Sequence, residues 1–251
     1  MELRWYGTAS LAVTSGETKL LFDPFLPLRG SSVKTRRSDY DGYPDVLVTH
    51  GHLDHIGSLP ELDTAERTVW CTETPAATLR GKGVENVSVI APGQTLTFGE
   101  MSVTVYRGKH IRFDAPTVLK TLFNVRMLKY AGNLPALLRE NRICRENGET
   151  AAFLVRAEGR SLFVMGSLNL DCDEEYPTDA DMLVLPYQGA SRLCERSLAF
   201  IERLRPRTIF LDHFDDTFPP ISGSIDTSDI EKALAGRLPV IRPEYGRAYT
   251  V

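Results

Sequence analysis

"THGHLDHIG" at residues 49–57 packs three of the protein's five histidines and one aspartate into six residues. It continues "PDVLVTH" (44–50), a short apolar run of the kind a sheet buries on both faces. Side chains two apart on an extended segment point the same way, so His50 and His52 can grip one ion. Asp54 and His55 follow where the chain turns, and can face a second ion beside the first. Imidazole and carboxylate suit zinc, with iron and manganese as alternatives. The competing reading, three idle histidines in an exposed loop, leaves both the aspartate among them and the buried strand before them unexplained.

The other two histidines strengthen the metal reading. His110 ends "MSVTVYRGKH" (101–110) and His213 ends "RTIFLDH" (207–213). Each stands where an apolar strand runs out into a loop, the usual place for functional groups in layered α/β folds. Taken singly, either would more often be a surface or packing residue; as a set they read as ligands.

Outward from these stretches, the first half reads as short strands. "LRWYG" (3–7), "SLAVTSG" (10–16) and "KLLFDP" (19–24) have the spacing of an antiparallel meander. "RTVWC" (67–71), a helix over 72–83, and strands at 87–90 and 101–110 on either side of the turn "APGQ" follow. From 112 to 148 the texture becomes helical, with Val118, Leu119, Leu122, Val125 and Leu128 close to helical spacing. The second half returns to strands at 150–159, 160–166, 181–187 and 207–213, with helices at 191–205 and 227–236, and closes on "AYTV". Two sheets covered by helices, in a single domain over 1–251 with a helical insertion near 112–148, is the simplest organisation.

Composition narrows the function. Hydrophobic residues make up 42% and charged residues 25%, as in ordinary soluble globular proteins. No apolar run is long enough to span a bilayer, and "MELRWYGTAS" lacks the layout of a secretory signal, so the expected location is the cytoplasm, away from membranes. A net charge of −4 argues against nucleic acid as a partner, and the small basic cluster "VKTRRS" (33–38) reads as a solvated loop. Four scattered cysteines without a CxxC pair read as reduced thiols. The partner expected is a small molecule, and nothing in the chain speaks to oligomeric state.

"THGHLDHIG" matches the HxHxDH signature of the metallo-β-lactamase superfamily, and the chain resembles that family over nearly its whole length. The opening "LRWYGTASLAVTSGETKLLFDPF" and the segment "APGQTLTFGEMSVTVYRGKH" are similar to the branch containing ascorbate-6-phosphate lactonase. The resemblance implies a four-layer αββα sandwich with metals at one edge between the sheets. It implies that His50, His52 and His110 hold a first metal and that Asp54, His55 and His213 hold a second, both most simply zinc. Asp23, of the Asp23-Pro24 pair, would support the site from behind, orienting a ligand.

Two departures from the family matter. Where relatives have Gly-Asp, supplying a carboxylate that bridges both metals, this chain has "FVMGS", with Ser167 in that place. A neutral hydroxyl binds metal less well, so the second ion is expected to be held more weakly. One subclass of true metallo-β-lactamases also has serine there, keeps the six ligands and remains dinuclear. Asp171 and Cys172 lie too far along to substitute simply. At the opening, Thr8 stands where relatives often have histidine and cannot act as base or ligand.

The chemistry expected is hydrolysis of a small ester, lactone or phosphoester by a metal-activated water, with Asp54 accepting its proton. Alternatives are a phosphodiesterase or nuclease, an iron redox protein, or a catalytically weak metal-binding protein lacking the bridging acid. Substrate choice is expected to rest with the 112–148 insertion and the loop after His213. Arg112, Phe113, Lys120 and Phe218 are the candidate pocket residues, the cations suiting an anionic substrate. Asp215 and Asp216 read as turn formers, and Tyr187-Gln188-Gly189 offers a hydrogen-bond donor at the same edge.

Overall fold

The apolar alternation read from the sequence folds into two seven-stranded sheets packed face to face. The computed structural model describes residues 1–63 and 65–251, without the side chains of Lys120 and Leu122. The first sheet begins with β1 (Glu2–Trp5), β2 (Leu11–Ser15) and β3 (Thr18–Phe22), the expected antiparallel meander. The chain then crosses over to a parallel run. β4 (Asp45–Leu47) leads through the short helices α1 (Leu53–Ile56) and α2 (Leu59–Leu62) to β5 (Thr68–Cys71). From there α3 (Glu73–Gly81) leads to β6 (Val87–Val89).

The second sheet repeats the plan. β7 (Thr95–Phe98) and β8 (Met101–Gly108) form a hairpin, followed by the insertion helices α4 (Ala115–Leu122), α5 (Arg126–Lys129) and α6 (Leu134–Ile143). β9 (Thr150–Ala157) and β10 (Arg160–Val164) continue the antiparallel part. β11 (Met182–Pro186), α7 (Leu193–Leu204), β12 (Ile209–Asp212), α8 (Ser228–Leu234) and β13 (Val240–Ile241) make the parallel part. β14 (Ala248–Thr250) returns to pair with β1, Glu2 opposite Thr250.

The side-chain period of two sets the layers. On β4, Leu47 joins the core between the sheets, whereas Val46 and Val48 pack with Ile56, Leu59 and Leu79 from the covering helices. Phe22 of β3 and Phe153 of β9 meet in the inter-sheet core, ring centroids 5.8 Å apart, each burial contributing about 1.5–3 kcal/mol. β11 is buried along its whole length, which is why it reads as an unbroken apolar run. This is the αββα sandwich that the sequence pointed to.

Two strands go unread in the sequence. β7 is an edge strand whose alternate threonines are exposed, and β13 is only two residues long. The insertion also differs from the single apolar stripe expected over 118–128. α4 ends at Leu122, and the side chain of Asn124 caps the next turn by accepting the Arg126 N–H at 3.0 Å. Val118, Leu119, Val125 and Leu128 are exposed rather than core.

The insertion is tied down at its start and in its middle. One Asp114 oxygen caps α4 through Thr117 N–H at 3.0 Å, and the other accepts Ser191 N–H and Oγ–H at 2.9 and 2.7 Å. Arg126 pairs with Asp216, and Asn133 donates to the carbonyls of Arg29 and Pro219 at 2.9 and 2.8 Å.

Candidate metal centre

All five histidines converge on the edge where β4, β8 and β12 run out. His50 follows β4 by three residues, and His52 caps α1, whose first turn carries Asp54 and His55. Gly51 separates the first two ligands for a steric reason: a Cβ there would come within 2.2 Å of the Arg145 carbonyl oxygen. His110 lies two residues past β8, and His213 directly follows β12. His213 adopts a left-handed backbone, φ +58°, and its N–H donates to the Thr8 carbonyl at 3.0 Å.

The side chains fall into two groups of three, His50 with His52 and His110, and Asp54 with His55 and His213. Within each group one ligand atom per residue lies within 4.8 Å of the others. His50 Nε2 is 3.1 Å from His52 Nδ1, and His55 Nε2 is 3.3 Å from His213 Nε2. Asp54 Oδ2 is 3.6 Å from His55 Nε2 and 3.9 Å from His213 Nε2. Ligands at about 2.0–2.1 Å on a tetrahedral ion stand about 3.3–3.4 Å apart. The two groups therefore fit such ions. Each group takes ligands from both sheets, two from the loop after β4 in the first sheet and one from the second.

A layer behind the ligands fixes their tautomers. Asp23 is 1% exposed; its Oδ1 accepts Thr49 N–H at 2.8 Å and its Oδ2 accepts Thr49 Oγ–H at 2.6 Å. His55 Nδ1 is 2.9 Å from the same Oδ2 and donates to it, leaving Nε2 for an ion. Having given its proton to Asp23, the Thr49 hydroxyl can accept from His50 Nδ1 at 3.1 Å, which likewise bares Nε2. His110 Nδ1 donates to the Ile111 carbonyl at 2.7 Å. Asp23 thus contacts both His55 and the threonine that precedes the histidine cluster. Thr49 went unnoticed in the sequence, although it adjoins the signature, because a threonine before a histidine announces nothing by itself.

The electrostatics suit ligands that must be unprotonated. Burial pushes His50 well below its ordinary value, with the surrounding imidazoles adding to the effect, and burial also lowers His110. Burial brings His52 to about 4 and His213 to about 3. His55 is the exception: burial opposes its charge, but Asp23 and Asp54 outweigh that and raise it to about 9. Burial works against the Asp54 carboxylate, yet His55 and His213 beside it hold its pKa below the usual value.

Ser167 contributes a neutral hydroxyl rather than a carboxylate. It lines the cavity, and its Oγ accepts the Ile111 N–H at 3.0 Å, while Asn169 Nδ2 donates to the His110 carbonyl at 3.1 Å. The segment after β10 thus holds the His110 loop. The glycine before it is required: a Cβ on Gly166 would lie 2.4 Å from the Ala151 carbonyl oxygen and 2.7 Å from Thr49 Cβ. Asp171 and Cys172 fall outside both groups and form an acidic cluster with Asp173. Thr8 offers backbone groups only, its carbonyl to His213 and its N–H to the Asp215 carboxylate at 3.0 Å.

The ligands open into a cavity of about 340 Å³. Phe113 and Phe218 line it, but Arg112 does not. Side chains alternate along the segment after His110, so Ile111 and Phe113 face the cavity and Arg112, between them, is exposed outside it. The Lys120 side chain lies outside the described residues. Gln188 and Gly189 line the cavity, whereas the Tyr187 hydroxyl is turned away and donates to Asp229 at 2.6 Å. Asp215 and Asp216 act as loop formers and tethers. One face of α6 (Leu134, Leu137, Leu138, Asn141) supplies the wall opposite, at a spacing that the sequence reading passed over.

Residues 18–214 match the model of the beta-lactamase superfamily domain. The chain belongs to that superfamily. Over nearly full length it is similar to a metal-dependent hydrolase of Halobacterium salinarum, 35% identical over 93% of this chain and 90% of the relative. A metal-dependent hydrolase of Agrobacterium fabrum is 34% identical, over 44% of this chain and 48% of the relative, so the chain spans about half of that relative's length. Among solved structures, the metallo hydrolase Igni18 of Ignicoccus hospitalis shares the fold with a TM-score of 0.65 at 18% identity, covering 99% of this chain and 97% of that one. The matched span contains all five histidines. Among the described residues no helix is long and apolar enough to cross a membrane.

Proposed function

We propose that the chain is a hydrolase that uses two divalent ions, most simply zinc, to cleave a small ester, lactone or phosphoester. The observation that carries this reading is the pair of three-atom ligand groups facing a single concave cavity. His50, His52 and His110 would hold one ion; Asp54, His55 and His213 would hold the other. When bound, such ions supply Lewis acidity, bringing the ionisation of water toward neutral pH and polarising the bond to be cleaved.

The protein's own groups do the remainder. Asp23 and Thr49 lock the imidazoles so that their ligand nitrogens point into the cavity. Asp54, ionised and at the cavity, takes up the proton released by the attacking water. Ser167 and Asn169 hold the His110 loop in place. A cavity of about 340 Å³ favours a small molecule over nucleic acid.

The test is metal content of the protein purified without added metal, combined with turnover on lactone, carboxylic ester and phosphodiester substrates. Two ions per chain, with turnover lost in His110→Ala, are expected. Full loading without turnover on any of these substrates would overturn the hydrolase reading.

A further inference from the structure

Of the clusters and surfaces outside the ligand set, the exposed Asp171–Cys172–Asp173 group shows no buried unpartnered donor or acceptor aimed into it. The wall of the main cavity carries more. We infer that the substrate presents an uncharged, apolar acyl or aryl group, and that Leu138 of α6 with Phe113 and Ile221 forms the mouth that selects it. This rests on the hydrolase reading for the reaction, though not for the binding.

Three observations support the inference. First, beyond the ligands the lining is almost wholly apolar, with Asn141, Ser167 and Gln188 as its uncharged polar members. Among the described residues no lysine or arginine lines it, so an anionic group would find no cationic partner in the protein wall. Three cations of the insertion are engaged elsewhere: Arg126 with Asp216, Arg139 with Glu140, and Lys129 over the Tyr130 ring. An uncharged group departs from the anionic substrate expected from Arg112 and Lys120; Arg112 lies outside the cavity, and the Lys120 side chain lies outside the described residues.

Second, the mouth exposes large apolar side chains. Phe113 is 58%, Leu138 63% and Ile221 47% exposed, although all three line the cavity. Apolar surface grouped around an opening, rather than scattered singly, marks a binding site. Third, the mouth is built to stay in place. Asp114 and the Arg126–Asp216 pair fasten the insertion to loops at both sides of the cavity. Phe113 also packs against His110 with ring centroids 5.9 Å apart, which places an apolar group next to the first ligand set.

The test uses p-nitrophenyl esters from acetate to octanoate on the ion-loaded protein, with p-nitrophenyl succinate and bis-p-nitrophenyl phosphate as charged comparators. Catalytic efficiency should rise about fourfold per added methylene until the cavity is full, and the charged comparators should be poorer than the ester of matching length. Leu138→Asp and Ile221→Asp, both at exposed positions, should flatten that slope. In parallel, the neutral dye Nile red is titrated into metal-free and loaded protein and displaced with hexanamide. Binding should weaken at least fivefold in Leu138→Asp.

A flat chain-length series or a preference for the charged esters would overturn the inference. So would failure of Nile red to bind, or binding that hexanamide does not displace. Displaceable dye binding that Leu138→Asp weakens, without turnover of any ester, would uphold the apolar site and remove the hydrolase reading instead.

Discussion

Asp23 gives the sharpest prediction, because one carboxylate serves three donors: Thr49 N–H, Thr49 Oγ–H and His55 Nδ1. In Asp23→Ala the His55 Nδ1–H can turn to the Thr49 hydroxyl oxygen, 3.1 Å away. The Thr49 N–H and Oγ–H then stay buried and unpaired, at about 1–3 kcal/mol each. Position 23 also holds a left-handed backbone, φ +42°, which alanine tolerates less well than aspartate. A loss of about 2–6 kcal/mol of folding stability should follow.

Asp23→Asn separates stability from metal binding. Asparagine keeps an acceptor for Thr49 N–H and nearly the same volume, so the fold should lose little, about 1 kcal/mol. Its amide would face His55 Nδ1, however, and drive the proton of that ring to Nε2. That atom lies 3.3 Å from His213 Nε2, where an ion would sit. Affinity for the second ion should fall about 10–100-fold, with the first less affected. Denaturation of the metal-free variants and calorimetric zinc titration read the two effects. Wild-type affinity for both ions in Asp23→Asn, or equal loss at both, would refute the tautomer argument.

Other predictions concern the ligands and their protonation. His110→Ala and His213→Ala should each reduce metal content from two ions to one by elemental analysis, at different sites; loss of both ions in each variant would deny that the groups are separable. Ser167→Asp keeps an acceptor for Ile111 N–H and adds a carboxylate at the cavity, so affinity for the second ion should rise about tenfold; unchanged affinity in a zinc titration would mean that serine is not what weakens it. In metal-free protein His50, His52, His110 and His213 resist protons that the unfolded chain accepts below about pH 6.5, so denaturation midpoints should fall from there toward pH 4, where His52 titrates. His55 acts oppositely: its contribution is full below about pH 6.5 and is lost as pH rises through 9. A midpoint constant between pH 7 and 4.5 would contradict this balance.

The fold was legible because its strands alternate cleanly or, like β11, run apolar throughout, and because the histidine signature follows one of them. The convergence of the histidines was legible because three share one signature and the other two end apolar strands. What escaped depends on contacts between distant segments. Thr49 gains a role only when Asp23 is folded against it, and Ser167 becomes a prop for the His110 loop only when β10 lies beside β9 and β8. Arg112 was misplaced because adjacency to His110 in sequence does not fix which way an extended segment faces. The apolar wall from α6 escaped because helical texture over 112–148 does not say which face of that helix meets the cavity.

The split origin of the ligands carries a consequence for how the molecule assembles. Neither sheet by itself presents a complete coordination set: the loop after β4 brings two members of each, and β8 and β12 bring the third. An ion captured there works as a rivet through two plates, and it can be driven only after the plates have met. Loading with the proposed ions would then be a late event in maturation. Chelation should first loosen amide protons at this one edge, around residues 49–55, 110 and 213, while the far ends of both sheets stay closed.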